Sequence, residues 1–369
     1  MKIHYILFIL AVSFDCLAQT NRDKNFSAAV DSMYAKYMRD DGPGGSLFVQ
    51  CGKNILYQRS FGLADLTTKK KFTENTVSNL GSISKTFVAY GILKLREEGK
   101  LSLDDNLLKY FPDFKNKELA RKVTIRHLLT HTSGLQDNRP VDKDGVFFLT
   151  ANDEQNFAPI KQNDTLEFEP GTHWNYSNPA FNGLALIIEK VSGMKWQKFI
   201  QKNIFTPAGM HDSKITDGAF PSKGVAHAYI PDSGRWQEYD YGEYPTFCAA
   251  GNGGVWSSIQ DLRKYYRAIK NNVFLKKSTI ALSQTLWMPE HWSDTLRPRN
   301  GFSWFVQDPD SALGHKIYFH TGHQAGFIAF FYVVPEKDVL VILELNFAPD
   351  PDDVEVYSIL KLLKRFGYI

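Results

Sequence analysis

A serine followed three residues later by a lysine occurs at three places in this chain, Ser82–Lys85, Ser192–Lys195 and Ser358–Lys361. Residues three apart on a helix share a face, so each pair could bring an amine beside a hydroxyl. A serine hydroxyl becomes a strong nucleophile when a base takes its proton, and a lysine whose pKa is lowered by burial or by nearby cations can do so. The chemistry in view is attack on a carbonyl to form an acyl-serine. Context separates the three copies. Ser192 sits in Val191-Ser192-Gly193-Met194, which reads as a helix end, and Ser358 falls within a C-terminal helix. Ser82 opens a helix behind a glycine, in Asn79-Leu80-Gly81-Ser82-Ile83-Ser84-Lys85, where unpaired backbone N–H groups favour developing negative charge. The alternative role for Ser82 is an N-cap.

Two further motifs are each unique here: of 17 tyrosines only Tyr176 is followed two places on by Asn, and of 10 histidines only His320 is followed two places on by Gly. Taken in order, Ser82 and Lys85, then Tyr176-Ser177-Asn178, then His320-Thr321-Gly322, the chain resembles the serine β-lactamase and penicillin-binding-protein family. It is most similar to the class C β-lactamases and their esterase and D-aminopeptidase relatives. Longer phrases carry the same likeness, including His131-Thr132-Ser133-Gly134-Leu135, Pro170-Gly171 ahead of Tyr176, and the stretch from Ala250 to Asp261. The resemblance spans about residues 26 to 346.

The resemblance implies that Ser82 is acylated, with Lys85 and Tyr176 sharing the proton transfer. Tyrosine ordinarily titrates near 10, so a base role for Tyr176 requires cations such as Lys85 beside it. Asn178 would hold Lys85 and the substrate, and the backbone N–H groups of Ser82 and His323 would meet the oxyanion from an edge strand. The substrate would be a small molecule or peptide, and no cofactor or metal is expected. One departure bears on the substrate. β-Lactamases usually carry Lys-Thr-Gly where this chain has His320-Thr321-Gly322, and a histidine is largely neutral near pH 7. That favours an esterase or D-amino-acid peptidase over a β-lactamase. The alternative from another class is a non-catalytic binding or sensor protein on the same fold.

Other chemistries find less support. His127 and His131 stand four apart like a zinc pair, but Leu128 occupies the place of the general-base glutamate. No G-x-S-x-G occurs, so an α/β-hydrolase elbow is not indicated. Asp137, Asp142 and Asp144, and likewise Asp350, Asp352 and Asp353, read as solvated loop charges.

The elements that must position these groups follow from periodicity. Apolar spacing predicts a helix over Phe26–Met38, a hairpin of Ser46–Cys51 and Ile55–Phe61, and a helix from Ser82 to Glu98. Short helices begin at Thr124 and span Phe181–Val191, with loops over Asp137–Asp164 and Gly218–Pro245 as candidate pocket walls. A capping box at Ser257–Gln260 is expected to open a helix over Asp261–Lys270. Strands return at Phe302–Val306, Ile317–His320, Phe327–Val334 and Val339–Leu345, before a helix over Val354–Phe366. The expected class is α+β, of the β-lactamase/transpeptidase type. An antiparallel sheet is built from both chain ends (about 24–100 and 250–369), with flanking helices and an inserted, mostly helical part at about 101–249. Together these make one catalytic domain over 19–369.

Composition adds limits. With Lys+Arg 43 against Asp+Glu 40, the net charge of +3 and the lack of a long basic run do not suggest nucleic acid. Met1-Lys2-Ile3-His4, the apolar run to Val12 and Cys16-Leu17-Ala18 have the three parts of a signal peptide over residues 1–18, too short to span a bilayer. A periplasmic or secreted protein is expected. Cys51 and Cys248 would then meet an oxidising compartment, as a disulfide or as two separate thiols.

Overall fold

The computed structural model describes residues 21–140, 147, 150–215, 225–238, 250–288, 299–309, 313–349 and 356–369. The expected signal segment, Cys248, the acidic groups at 142–144 and 350–353, and parts of both candidate wall loops lie outside them. In chain order, helix α1 (21–34) leads into strands β1 (Gly45–Cys51) and β2 (Asn54–Phe61), then a short strand β3 (Ser78–Asn79) and helix α2 (Ser84–Glu97). A helical stretch follows, including α3 (Ile125–Leu129), α4 (Asp153–Phe157) and α5 (Asn178–Ser192), then β4 (Lys214–Ile215), β5 (Val255–Ser257) and helix α6 (Ile259–Lys270). Strands β6 (Arg299–Asn300), β7 (Phe305–Gln307), β8 (Ile317–Gln324), β9 (Phe327–Val334) and β10 (Val339–Leu345) precede helix α7 (Val356–Arg365).

The main sheet has the order β6-β7-β8-β9-β10-β1-β2, antiparallel throughout. Both chain ends meet where β10 pairs with β1, Leu345 opposite Gly45 and Val339 opposite Cys51. The sequence of β10 is apolar at six of seven places because both sheet faces are covered. Val339, Val341, Leu343 and Leu345 pack with Phe26, Val30 and Tyr34 of α1 and with Ile359, Leu360 and Leu363 of α7. Leu340 and Ile342 point the other way, into the core that α2, α5 and α6 share. A one-residue slip of register would exchange these two sets, so the alternation fixes the pairing.

Glu344 is the exception on β10: fully buried, it accepts a hydrogen bond from Ser78 Oγ at 2.9 Å, while its Oε1 has no partner among the described residues. Burial raises its pKa well above the usual carboxylate range, and Asp261 adds to the effect.

Several expected boundaries move. Helix α1 ends at residue 34, where Tyr34 O instead accepts the Tyr37 N–H of a closing turn. Helix α6 begins at Ile259 with Ser258, not Ser257, as its N-cap: Ser258 Oγ accepts from Asp261 N–H, and Gln260 reaches away to Glu74. The strand placed at Phe302–Val306 starts later, because Phe302 N–H is taken by Ser283 O and Ser303 turns through a positive φ of 69°. Strand β8 runs four residues past His320, to Gln324.

Candidate active site

Three local devices deliver Ser82 to its position. β3 pairs with β5, Ser78 opposite Ser257 and Asn79 opposite Trp256, and Leu80 N–H donates to Val255 O at 2.9 Å. Gly81 then turns through φ +50°, its N–H held by Asn79 Oδ1 at 2.7 Å. From there a 3₁₀ turn, Gly81–Ile83, runs straight into α2, so Ser82 stands at the N-terminal end of a helix as its sequence context predicts. Ser84 Oγ accepts from Val255 N–H at 2.9 Å and ties this corner to β5 a second time.

Lys85, one turn on, is fully buried. Its Nζ is 2.9 Å from Ser82 Oγ and 2.7 Å from Asn252 O, and it stands 5.1 Å from the ring centre of Tyr176 and 5.9 Å from that of Phe181. Removal from water lowers the amine's pKa well below its ordinary value, and the Arg139 guanidinium lowers it further. Arg139 is engaged elsewhere, with Asp137 and Asn156, so it acts on Lys85 by charge alone. Tyr176 lines the same cleft as Ser82, and burial raises its pKa above 10, a rise that the Ser82 hydroxyl only partly offsets. The site therefore favours a neutral amine and a neutral phenol. This differs from the expectation that Lys85 would draw Tyr176 toward phenolate.

The phrase His131-Thr132-Ser133-Gly134 positions the tyrosine. His131 takes a positive φ of 58°, and this turn collects the strand-like run before α5: Gly171 N–H donates to Thr132 O at 2.8 Å, and Asn175 N–H to His131 O at 2.9 Å. Ser177 N–H donates to His131 Nδ1 at 2.9 Å, which places the ring proton on Nε2. The imidazole stacks on Tyr176 with ring centres 4.5 Å apart, and burial with the nearby Lys85 and His320 keeps its pKa well below the usual value. His127, the other half of the imagined zinc pair, instead closes a capping box on Thr124 at the start of α3.

Strand β8 supplies the opposite wall. β7 pairs with Ile317–Phe319, so among the described residues β8 has β9 alone as a strand partner from His320 onward, and its other edge faces Ser82. Two glycines let it approach: a Cβ on Gly81 would lie 2.7 Å from His323 N, and one on Gly322 would lie 3.1 Å from Ser82 N. The backbone nitrogens of Ser82 and His323 thus converge on one corner of the cleft. His320 is buried, and its Nδ1–H donates to Thr321 O at 2.7 Å, which leaves Nε2 as an acceptor with no partner among the described residues. Burial and Lys85 bring its pKa down to about 3. It carries no charge at neutral pH.

Ser82, Tyr176, Asn178, His320 and His323 all line one cleft of about 350 Å³, with Trp174 and Phe305 as its aromatic wall. Among the described residues its lining includes no Lys, Arg, Asp or Glu side chain. Asn178 is the first residue of α5, whereas the bond expected between it and Lys85 is made by Asn252 O. The other serine–lysine pairs lie elsewhere. Ser192 Oγ accepts from Met194 N–H at the end of α5 with Lys195 on Glu189, and Ser358 lies in α7. Asn252 and His131 are the site residues that motif reading passed over. Both stood in phrases that signalled them, the Gly251–Gly254 turn and the His131–Leu135 run.

The chain is similar in sequence and fold to known proteins. Penicillin-binding protein 4* of Bacillus subtilis (strain 168) is 31% identical over 327 residues, covering 83% of this chain and 68% of its own length. Esterase EstB of Burkholderia gladioli is 25% identical over 342 residues, covering 82% and 86%. Among solved structures, the octameric penicillin-binding protein homologue from Pyrococcus abyssi superposes with a TM-score of 0.77 at 26% identity, over 93% of this chain and 77% of that one. The family profile described as Beta-lactamase matches residues 30–364, and with that span and this site the chain belongs to the Beta-lactamase family.

Proposed function

We propose that this protein is a serine hydrolase that cleaves an ester or amide through an acyl-enzyme on Ser82, in the manner of an esterase or D-amino-acid peptidase. The observation that carries the reading is the buried Lys85 amine, 2.9 Å from Ser82 Oγ and depressed in pKa by its surroundings. A neutral amine at that distance accepts the hydroxyl proton as Oγ bonds to the substrate carbonyl carbon. The resulting oxyanion faces the N–H groups of Ser82 and His323. Tyr176, a neutral phenol beside Ser82 in the cleft, hands a proton to the departing alcohol or amine and is reprotonated from Lys85. Water then attacks the acyl carbon, its proton returns through the same groups, and the acid leaves with Ser82 regenerated.

The uncharged cleft lining supports a neutral substrate with an apolar acyl part, since a substrate carboxylate would meet no cation among the described wall residues. The likeness to an esterase points the same way. No helix among the described residues is long and apolar enough to cross a membrane. Export to the periplasm or beyond rests on the sequence of residues 1–18. The test is fluorophosphonate labelling together with a hydrolysis screen of short-chain esters, D-amino-acid amides and peptides, and β-lactams. Ser82→Ala is expected to abolish labelling and turnover, while Ser192→Ala and Ser358→Ala keep both. Full activity in folded Ser82→Ala would refute the reading.

A further inference from the structure

Asp153, the first residue of α4, is buried at 7% exposure, and among the described residues its side-chain hydrogen bonds go to Gly251 and Asn182 rather than to Ser82 or Lys85. One of its oxygens, Oδ1, accepts two hydrogen bonds at 2.8 Å each, from Gly251 N–H and from Asn182 Nδ2 of α5. The same Asn182 amide donates at 3.1 Å to the side-chain oxygen of Asn252. Asn252 in turn offers its backbone oxygen to Lys85 Nζ at 2.7 Å. The chain segment at 250–252 lies flat on α5, for a Cβ on Gly251 would stand 2.6 Å from Phe181 O and 2.8 Å from the Ala185 Cβ. It is therefore clamped from one side by helix packing and from the other by Asp153.

We infer that Asp153, with Asn182, is a positioning residue for the general base: it fixes the carbonyl of Asn252 that aims the Lys85 amine at Ser82. This inference rests on the acyl-enzyme reading given above. A buried carboxyl costs free energy unless its acceptors are used, and here one donor is the Gly251 N–H beside Asn252 and the other is the Asn182 amide that also bonds the Asn252 side chain. Burial, reinforced by Glu189, pushes the Asp153 carboxyl up to about 7. Hydrophobic packing at the start of α4 would need neither this group nor its aim. Outer-shell partners of this kind typically tune a reacting group by holding its orientation.

The experiment compares Asp153→Leu, which removes the acceptor at similar volume, with Asp153→Asn, which keeps a carbonyl oxygen for both donors. Each is assayed for kcat, KM and the acid limb of kcat/KM with a neutral short-chain ester, with far-UV circular dichroism as the check on folding. In Asp153→Leu, kcat is expected to fall about tenfold or more while KM changes less than about threefold, as for a misaligned reacting group. The acid limb should move to lower pH, because an amine without its carbonyl acceptor holds a proton less well. The groups facing Lys85, namely Arg139, His131, His320 and Tyr176, are unchanged in the variant. Asp153→Asn should restore kcat and limb. A folded Asp153→Leu with wild-type kcat and limb, or an Asp153→Asn equally impaired, overturns the inference. Should Asp153→Leu not fold, Asn182→Ala decides: a displaced limb supports the inference and an unmoved one overturns it. Ser82→Ala in parallel separates the two levels, since its inactivity leaves the acyl-enzyme standing even where Asp153 proves dispensable.

Discussion

Gly322 and Leu80 are pressed together so closely that a Cβ on the glycine would stand 1.9 Å from the Leu80 carbonyl oxygen. No rotamer relieves a clash with backbone, so any side chain at 322 must push β8 away from the Ser82 turn. The His323 N–H would move with it and leave the oxyanion corner. We expect Gly322→Ala to fold and to lose about a hundred- to a thousandfold in kcat, the usual worth of one oxyanion donor. Steady-state kinetics with a short-chain ester will measure it, and a wild-type kcat would mean that β8 does not carry the second donor.

Lys85 should act as the neutral amine. Arginine is of similar reach but does not lose its proton in proteins, so Lys85→Arg keeps a cation and removes the base. Turnover and fluorophosphonate labelling should both fall by about a hundred- to ten-thousandfold. In the wild type, kcat/KM should rise with pH through a pKa well below the ordinary lysine value, as burial and Arg139 dictate. An acid limb at the free lysine value, or a labelling rate retained in Lys85→Arg, would assign the base to another group.

How far the sequence could be read depended on which atoms do the work. Ser82 and Lys85 were legible because their meeting is local, one helical turn apart. The central place of β10 was legible because a strand covered on both sides needs a near-continuous apolar run, which Glu344 alone interrupts. Asn252 was not, since it acts on Lys85 through a backbone oxygen that every residue has. His131 was visible only as part of a phrase, because its hydrogen bond from Ser177 spans 46 residues and exists only once folded. The end of β8 was missed for a related reason: His320 to Gln324 is polar, and its strand pairing comes from β9 on one side alone.

His320 gives a test of substrate charge that differs from what its residue type suggests. A free histidine would change charge near 6.5, but here burial and Lys85 bring it to about 3 and its Nδ1–H is committed to Thr321 O. The preference between a neutral ester and a matched carboxylate-bearing one should therefore stay flat from about pH 5 to 8. His320→Lys should improve the anionic substrate relative to the neutral one, by about thirtyfold if a charged hydrogen bond of about 2 kcal/mol forms. Ratios of kcat/KM across that pH range decide the matter. A ratio that turns over near pH 6.5 in the wild type would show a histidine that does protonate in the cleft.

Glu344 predicts a pH dependence of stability that has nothing to do with catalysis. Its folded pKa lies well above the value of about 4.3 expected in an unfolded chain, so the folded state holds this proton more tightly. The stability it contributes is complete below about pH 4.3 and is lost as pH rises toward the folded pKa, at up to about 1.4 kcal/mol per pH unit. Glutamine keeps an oxygen for Ser78 Oγ and cannot ionise, so Glu344→Gln should escape that loss. The other groups near it, Ser78 and Asp261, are shared by both proteins and cancel in the comparison. Urea unfolding at about pH 5 and pH 8 should find the variant gaining on the wild type by about 1 kcal/mol or more between the two. A difference that does not change with pH would mean that Glu344 is ionised in the fold, compensated by a donor to its free Oε1.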